Sequence, residues 1–186
     1  MEKSAASASR QGGGSLERYT LAALNALSRK DFLRVIGPVF ERSPWIAELT
    51  WAKRPFKSVA ALQRALCETV RASDESRKLA LIRAHPDLAG RAARAGALTP
   101  ASAREQASGG LDQLGAEEAA LFDKYNRAYR ERFGFPFVIC ARQNKKEAML
   151  AGFARRLKNS PQQEIEVALA EVFKIAKLRL DDLLVS

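Results

Sequence analysis

Through most of the length from Leu21 to Leu183 the apolar side chains of this chain recur at helical spacing, and one short apolar stretch departs from that period. An amphipathic helix must bury its apolar stripe against another element, so a chain built of such stripes packs helix on helix. The first run carries Leu21, Leu24 and Leu27, and the second Phe32, Val35, Ile36 and Val39, with a helix start at Ser28 and Asp31 between them. Pro44 can open a third helix carrying Trp45, Ile46 and Leu49. Ser58 can cap a fourth through Leu62, Leu66 and Val70, and Asp74 a fifth whose Leu79 and Ile82 face inward. Glu117 to Phe133 shows a stripe of Phe122, Tyr125, Tyr129 and Phe133 that stops at Gly134. The last helix, from Pro161 to about Leu184, buries Ile165, Leu169, Val172, Phe173, Ala176, Leu180 and Leu183. The pattern predicts an all-α, single-domain multi-helix bundle of about eight to nine helices with one short extended segment.

That segment is FPFVICA, Phe135 to Ala141, where Pro136 holds Phe135 extended and an unbroken apolar run follows. With no second strand to pair with, a buried extended run has amides and carbonyls that need partners, which a ligand can supply. The alternative is that Phe137 to Ala141 begins the next helix, whose body continues through Met149, Leu150, Phe153 and Leu157.

At 186 residues and 47% hydrophobic, the chain can bury one substantial core, which implies one domain. Residues 1–15, MEKSAASASRQGGGS, offer nothing to bury and are expected to form a flexible tail before a domain spanning 16–186. Cys67 and Cys140 lie far apart without zinc or redox spacing, which points to reduced thiols and no metal. No apolar run is long enough to cross a membrane and no signal core opens the chain, so the expected location is the cytoplasm. The formal charge of +10 favours anionic partners. Basic residues are scattered among acidic ones, without the continuous stripe of a nucleic-acid binder, and read mainly as solvated surface.

Three polar features do not follow from packing alone. His85, in RAHPDLAG, is the only histidine, and Pro86 biases it away from helical dihedrals onto a helix-terminal turn. By itself this reads as an ordinary helix-end residue. In LTPASAREQASGGL, Thr99 and Pro100 start a helix that Gly109 and Gly110 end, and Ser102, Glu105 and Gln106 then share one face. Ser102 and Glu105 also fit a capping box, an equally weighted reading. Arg179 points along the inward stripe of the last helix, whereas Lys174, Lys177 and Asp181 point outward. A guanidinium there calls for an anion, either a ligand or an internal carboxylate such as Glu105, or it snorkels at the rim.

With AHPDLAG, LTPASAREQASGGL, YRERFGFPFVICA and IAKLRL in this order, the chain resembles the 2-oxo-4-hydroxy-4-carboxy-5-ureidoimidazoline (OHCU) decarboxylase family of uric acid degradation over roughly residues 16–184. The resemblance implies an all-α homodimer that needs no cofactor and turns OHCU into (S)-allantoin, with neither nucleic acid nor membrane as partner. It implies a general acid at His85, an essential carboxylate at Glu105 and an essential arginine at Arg179. Ser102 and Gln106 match substrate-contacting polar positions, and Pro86 matches a residue lining the pocket. Phe137, Val138, Ile139, Cys140 and Ala141 match the segment that meets the substrate with its backbone. Gln143 departs from the family, where glycine is common, and bears on the conformation of that turn. The rival class is a basic helical module binding nucleic acid or an acidic partner, supported only by the charge.

Overall fold

The computed structural model describes residues 18–185, so the expected tail, 1–15, lies outside the described residues. Ten α-helices form the described part: α1 (Leu21–Ala26), α2 (Arg29–Ile36), α3 (Trp45–Trp51), α4 (Val59–Arg71), α5 (Glu75–Arg83), α6 (Arg91–Arg94), α7 (Pro100–Ser108), α8 (Ala116–Phe133), α9 (Lys146–Arg156) and α10 (Pro161–Leu183). Side-chain caps start most of the longer ones. Ser28, Ser58, Asp74 and Thr99 each accept a hydrogen bond from a backbone N–H three residues on, and Ser160 with Gln163 closes a capping box in front of α10.

α10 is the central strut. Its inward face, with Leu169, Val172, Ile175, Ala176 and Leu180 buried, packs against α4 and α5, while α2, α3 and α4 form a consecutive layer beside it. α8 pairs with α9 through an aromatic cluster in which Tyr129 meets Phe137 edge-on and Phe137 stacks on Phe153, with ring centroids 3.9 Å apart. An isolated bridge between Tyr19 and Leu184 ties the start of the described chain to its end. Among the described residues no helix is long and apolar enough to cross a membrane.

The structure departs from the sequence reading in four places. The second run does not stay helical to Val39: α2 stops at Ile36 and Gly37–Val39 is a 3-10 turn, because the Pro38 ring cannot sit inside an α-helix. Leu49 is 48% exposed, since the short α3 buries only Ile46, Ala47 and Thr50. α6 is an extra helix that an Arg-Ala-Ala-Arg sequence without an apolar stripe could not announce. The alternative that Phe137 begins the next helix fails: residues 136–140 are not helical, Cys140 has extended dihedrals, Ala141–Gln143 form a 3-10 turn, and α9 begins only at Lys146. Gln143 does not have a positive φ, so the turn tolerates a side chain there.

Candidate active site

Where α5 stops, the peptide N–H of His85 bonds Ile82 instead of Leu81, and the Leu81 carbonyl is left without a helical partner. The imidazole takes it, with Nδ1 2.9 Å from that oxygen. A carbonyl can only accept, so Nδ1 carries its hydrogen whatever the charge of the ring, and in the neutral ring Nε2 is bare. His85 is 6% exposed, and burial holds its pKa below the ordinary value of 6.5. The Leu81 carbonyl and the carboxylates Glu41 and Glu105 pull it back up, while Arg179 pushes it down. The resting ring is therefore neutral at physiological pH.

The turn after His85 is tightly pinned. Ala89 has φ 49°, and a Cβ at Gly90 would lie 2.7 Å from that of Asp87. Gln106 uses both ends of its amide here: Oε1 accepts from the Ala89 N–H at 2.9 Å, and Nε2 donates to the Asp87 carbonyl at 3.1 Å. Asn126 donates to the Leu88 carbonyl, and Arg130 pairs with Asp87.

The extended segment is held just as specifically. Arg156, 5% exposed and paired with the fully buried Glu164, donates to the Val138 carbonyl at 2.8 Å. The Cys140 N–H donates to Glu171, and its carbonyl accepts from Asn144. Between them, neither backbone group of Ile139 has a protein partner among the described residues. The Phe137 ring lies in the aromatic core, and the Cys140 thiol is buried with its pKa pushed up by burial and by Glu171. At Gly109 a Cβ would meet Met149 Cε at 2.6 Å and the carbonyls of Ala141 and Asn144 at 3.2 and 3.3 Å, so α7 lies tight against the turn at 141–144.

These elements converge on one small cavity of about 30 Å³ lined by His85, Pro86, Leu88, Ser102, Glu105, Gln106, Val138, Ile139, Ala141 and Ile175. Beside it lies a cavity of about 330 Å³, whose walls include Arg104, Arg142, Arg179, Asp182 and, again, Glu105. The larger space does not reach His85. Glu105 lines both cavities, and Arg179, which lines the larger one, is paired with it.

Arg179 is fully engaged. Its Nε and Nη2 donate to the two oxygens of Glu105 at 2.7 and 2.8 Å, Nη2 also donates to Glu41 at 3.0 Å, and Nη1 faces the carbonyls of Pro38 and Val39 at 3.3 and 3.5 Å. The internal ion pair considered from the sequence thus exists, and a second carboxylate joins it. Burial works against the Arg179 charge, but Glu105 and Glu41 outweigh it and raise the pKa further. Glu41 was not singled out from the sequence, nor were Leu88 and Ile175. The Glu41 carboxylate is 3% exposed and accepts from Thr99 at 3.0 Å, Ser102 at 2.9 Å and Arg179. Burial pushes its pKa up, and Arg179 with the two hydroxyls more than offsets this, holding it below the usual carboxylate value. Among the described residues no group of three or more His, Cys, Asp or Glu side chains is placed to hold a metal ion.

Arg179 is thus a fork already matched to carboxylates, Ile139 has an unpaired peptide, and the bare Nε2 of His85 can take up a proton. Comparison with known proteins bears on what the site acts upon. A family model described as OHCU decarboxylase matches residues 25–181. The 2-oxo-4-hydroxy-4-carboxy-5-ureidoimidazoline decarboxylase of Amia calva is 44% identical over 161 residues, covering 87% of this chain and 92% of the relative. The uric acid degradation bifunctional protein PucL of Bacillus subtilis is 34% identical over 166 residues, 89% of this chain and 33% of PucL. A crystal structure of (S)-allantoin synthase superposes with a TM-score of 0.71 at 28% identity over 90% of this chain, which spans about half (54%) of that longer protein.

Proposed function

The chain belongs to the OHCU decarboxylase family, and from that membership we propose that His85, Glu105 and Arg179 carry its reaction. The enzyme decarboxylates OHCU in uric acid degradation. The observation that supports the residue assignment is the convergence of His85, Ser102, Glu105, Ile139 and Ala141, drawn from three separated stretches of sequence, on one cavity, with Arg179 paired to Glu105 from the larger cavity alongside.

The bond to be broken joins CO2 to a ring carbon that also bears a hydroxyl and sits next to a ring C=N. Its electron pair moves into that C=N, forming a carbon–carbon double bond, and the ring nitrogen takes a proton from solvent, the one proton consumed when a carboxylate leaves as CO2. The hydroxyl carbon then becomes a carbonyl by releasing its proton, and the ureido-bearing carbon gains one. The substrate is thus its own electron sink, and the reading requires no cofactor. What the protein supplies is orientation and a proton on one face.

The 30 Å³ space beside His85 is too small for the substrate, so the wall must give way. Glu105 is the part that can. Its side chain is 13% exposed and its only hydrogen bonds are to Arg179, whereas Glu41 is locked by three donors. The substrate carboxylate enters from the larger cavity and takes Glu105's place on the Arg179 fork, and the released Glu105 accepts from ureido N–H groups. Ser102 and the unpaired Ile139 peptide hold the ring. The bare Nε2 of His85 takes the hydroxyl proton as CO2 leaves, and the imidazolium returns it to the ureido-bearing carbon, which makes the product (S)-allantoin. Gln106 and Pro86 act by shaping the turn that carries His85, and Phe137 and Cys140 by holding Ile139 in place.

The reading includes a cytoplasmic homodimer, which light scattering at micromolar concentration tests independently of the chemistry. The decisive experiment is chiral analysis of allantoin formed from fresh OHCU with and without the protein, repeated in D2O. Accelerated formation of one enantiomer carrying deuterium at the ureido-bearing carbon is expected. Racemic product at the spontaneous rate would refute the assignment.

A further inference from the structure

The mechanism above uses Arg179, Glu105, Ser102 and His85, but each of the first three is tied, directly or through Arg179, to Glu41, a carboxylate it does not use. Glu41 follows the 3-10 turn Gly37–Val39, and Arg42 beyond it has φ 45°, so the chain turns sharply at this point. The turn itself faces Arg179, since the carbonyls of Pro38 and Val39 receive its Nη1. One Glu41 oxygen takes the hydroxyl of Thr99, the N-cap of α7, and the other takes the hydroxyl of Ser102 and Nη2 of Arg179. A single buried carboxylate therefore joins the α2–α3 connection, the first turn of α7 and the last turns of α10. A buried charge is costly unless every lone pair is used, and here the lone pairs are used on site residues.

Resting on the decarboxylase reading, we propose that Glu41 is a positioning residue: it holds Arg179 and Ser102 in place from behind while Glu105 leaves Arg179 for the substrate. Arg179 has two carboxylates and the substrate brings a third. Only a guanidinium fixed by a partner that stays put can exchange the other without turning away. Glu41 has a second effect through space. The charged groups acting on His85 are Glu41, from the α2–α3 connection, Glu105, from α7, and Arg179, from α10. When Glu105 swings to the ureido group, Glu41 is the fixed negative charge that continues to favour the imidazolium through which the proton passes.

The test is Glu41→Gln, with Glu41→Asp as the conservative variant and Thr99→Val as a milder one. Glutamine keeps an oxygen for Ser102 and Arg179 and can donate to Thr99, so it removes the charge while retaining the contacts. Circular dichroism and thermal unfolding establish that each protein is folded, and kcat and KM are measured across pH. Wild type must decarboxylate OHCU; an inactive wild type refutes the function reading and this inference with it. With wild type active, Glu41→Gln is expected to lose on the order of 10-fold or more in kcat/KM. The acid limb of its pH profile should move to lower pH, because the imidazolium has lost its standing counter-charge. Glu41→Asp should restore the limb towards its wild-type position. Should Glu41→Gln not fold, Thr99→Val, which frees one Glu41 oxygen and touches nothing else in the cluster but the Ser102 N–H, must show a smaller loss of kcat/KM in a folded protein. A folded Glu41→Gln, or in its absence a folded Thr99→Val, with wild-type kcat/KM overturns the inference. So does a Glu41→Gln loss equal to its unfolded fraction with an unmoved pH profile.

Discussion

Replacing Arg179 by methionine keeps a long apolar stem on α10 but strands Glu41, 3% exposed, and Glu105, 13% exposed at the side chain. Removing one member of a buried ionic cluster costs about 3–5 kcal/mol, because the charge left behind has neither water nor a counter-ion. At roughly 2–4 °C per kcal/mol for a domain of this size, the midpoint should drop by about 6–20 °C at pH 7.5. The loss should depend on pH, with a sign fixed by Glu41. In the wild type its folded pKa lies below the reference value of 4.5, so its contribution is present above that value and is lost only as pH falls through the lowered folded pKa. Without Arg179 burial dominates and the folded pKa rises above the reference. The variant then regains stability as pH falls through that raised pKa towards about 4.5. The gap between the two proteins, read by thermal unfolding at 222 nm, should narrow from pH 7.5 to pH 5. A gap that stays constant, or a loss under about 1 kcal/mol at pH 7.5, would refute the picture of a buried carboxylate pair held charged by one arginine. Arg179→Lys should recover part of the stability and little activity, since a point charge cannot reproduce the planar fork. Lys177→Ala should change neither, because Lys177 pairs with Asp181 on the exposed face.

Other outcomes follow from the same geometry. His85→Asn should fold normally, lose on the order of 10²- to 10⁴-fold in rate and give allantoin closer to racemic; pure (S)-allantoin at the wild-type rate would remove His85 from the mechanism. Wild-type kcat/KM should hold through neutral pH and fall on the acid side below about 6.5, because the neutral ring is the working form and burial lowers its pKa. A pH–rate profile that instead falls as pH rises through neutrality would require a resting imidazolium. Gly109→Ala should push α7 off Met149 and the Ala141 carbonyl, costing about 1–3 kcal/mol by denaturant titration and more in activity than stability alone explains. Gln106→Glu should keep the Ala89 N–H bonded but set a carboxylate against the Asp87 carbonyl, destabilising by about 1–3 kcal/mol, read as a shift in denaturation midpoint.

The helices were legible because their determinants are local. Thr99 with Pro100, Ser58, Asp74 and Ser160 with Pro161 act within one turn of chain, and the stripes on α8 and α10 are periodic in sequence as they are in space. Arg179 could be picked out for the same reason: it interrupts an apolar face that the spacing alone defines. His85, Glu105 and the extended segment were legible through their motifs, and their convergence could only be expected from the family resemblance.

Glu41 shows where such reading ends. Extending α2 past Ile36 places Glu41 about 140° around the helix from Ile36, on the solvent side. Pro38 breaks the helix, the 3-10 turn and the positive φ at Arg42 redirect the chain, and the carboxylate arrives buried against residues 58 and 138 positions away in sequence. The pairing of Gln106 with the backbone of residues 87 and 89, and of Arg156 with Val138, is equally invisible to any period. Sequence by itself determined which segments are helical and which faces they bury, because caps and amphipathic stripes act over a single turn. Only the tertiary structure decided which carboxylates meet Arg179, which tautomer His85 adopts and which peptide is left unpaired, because buried polar groups must find partners wherever packing brings them together.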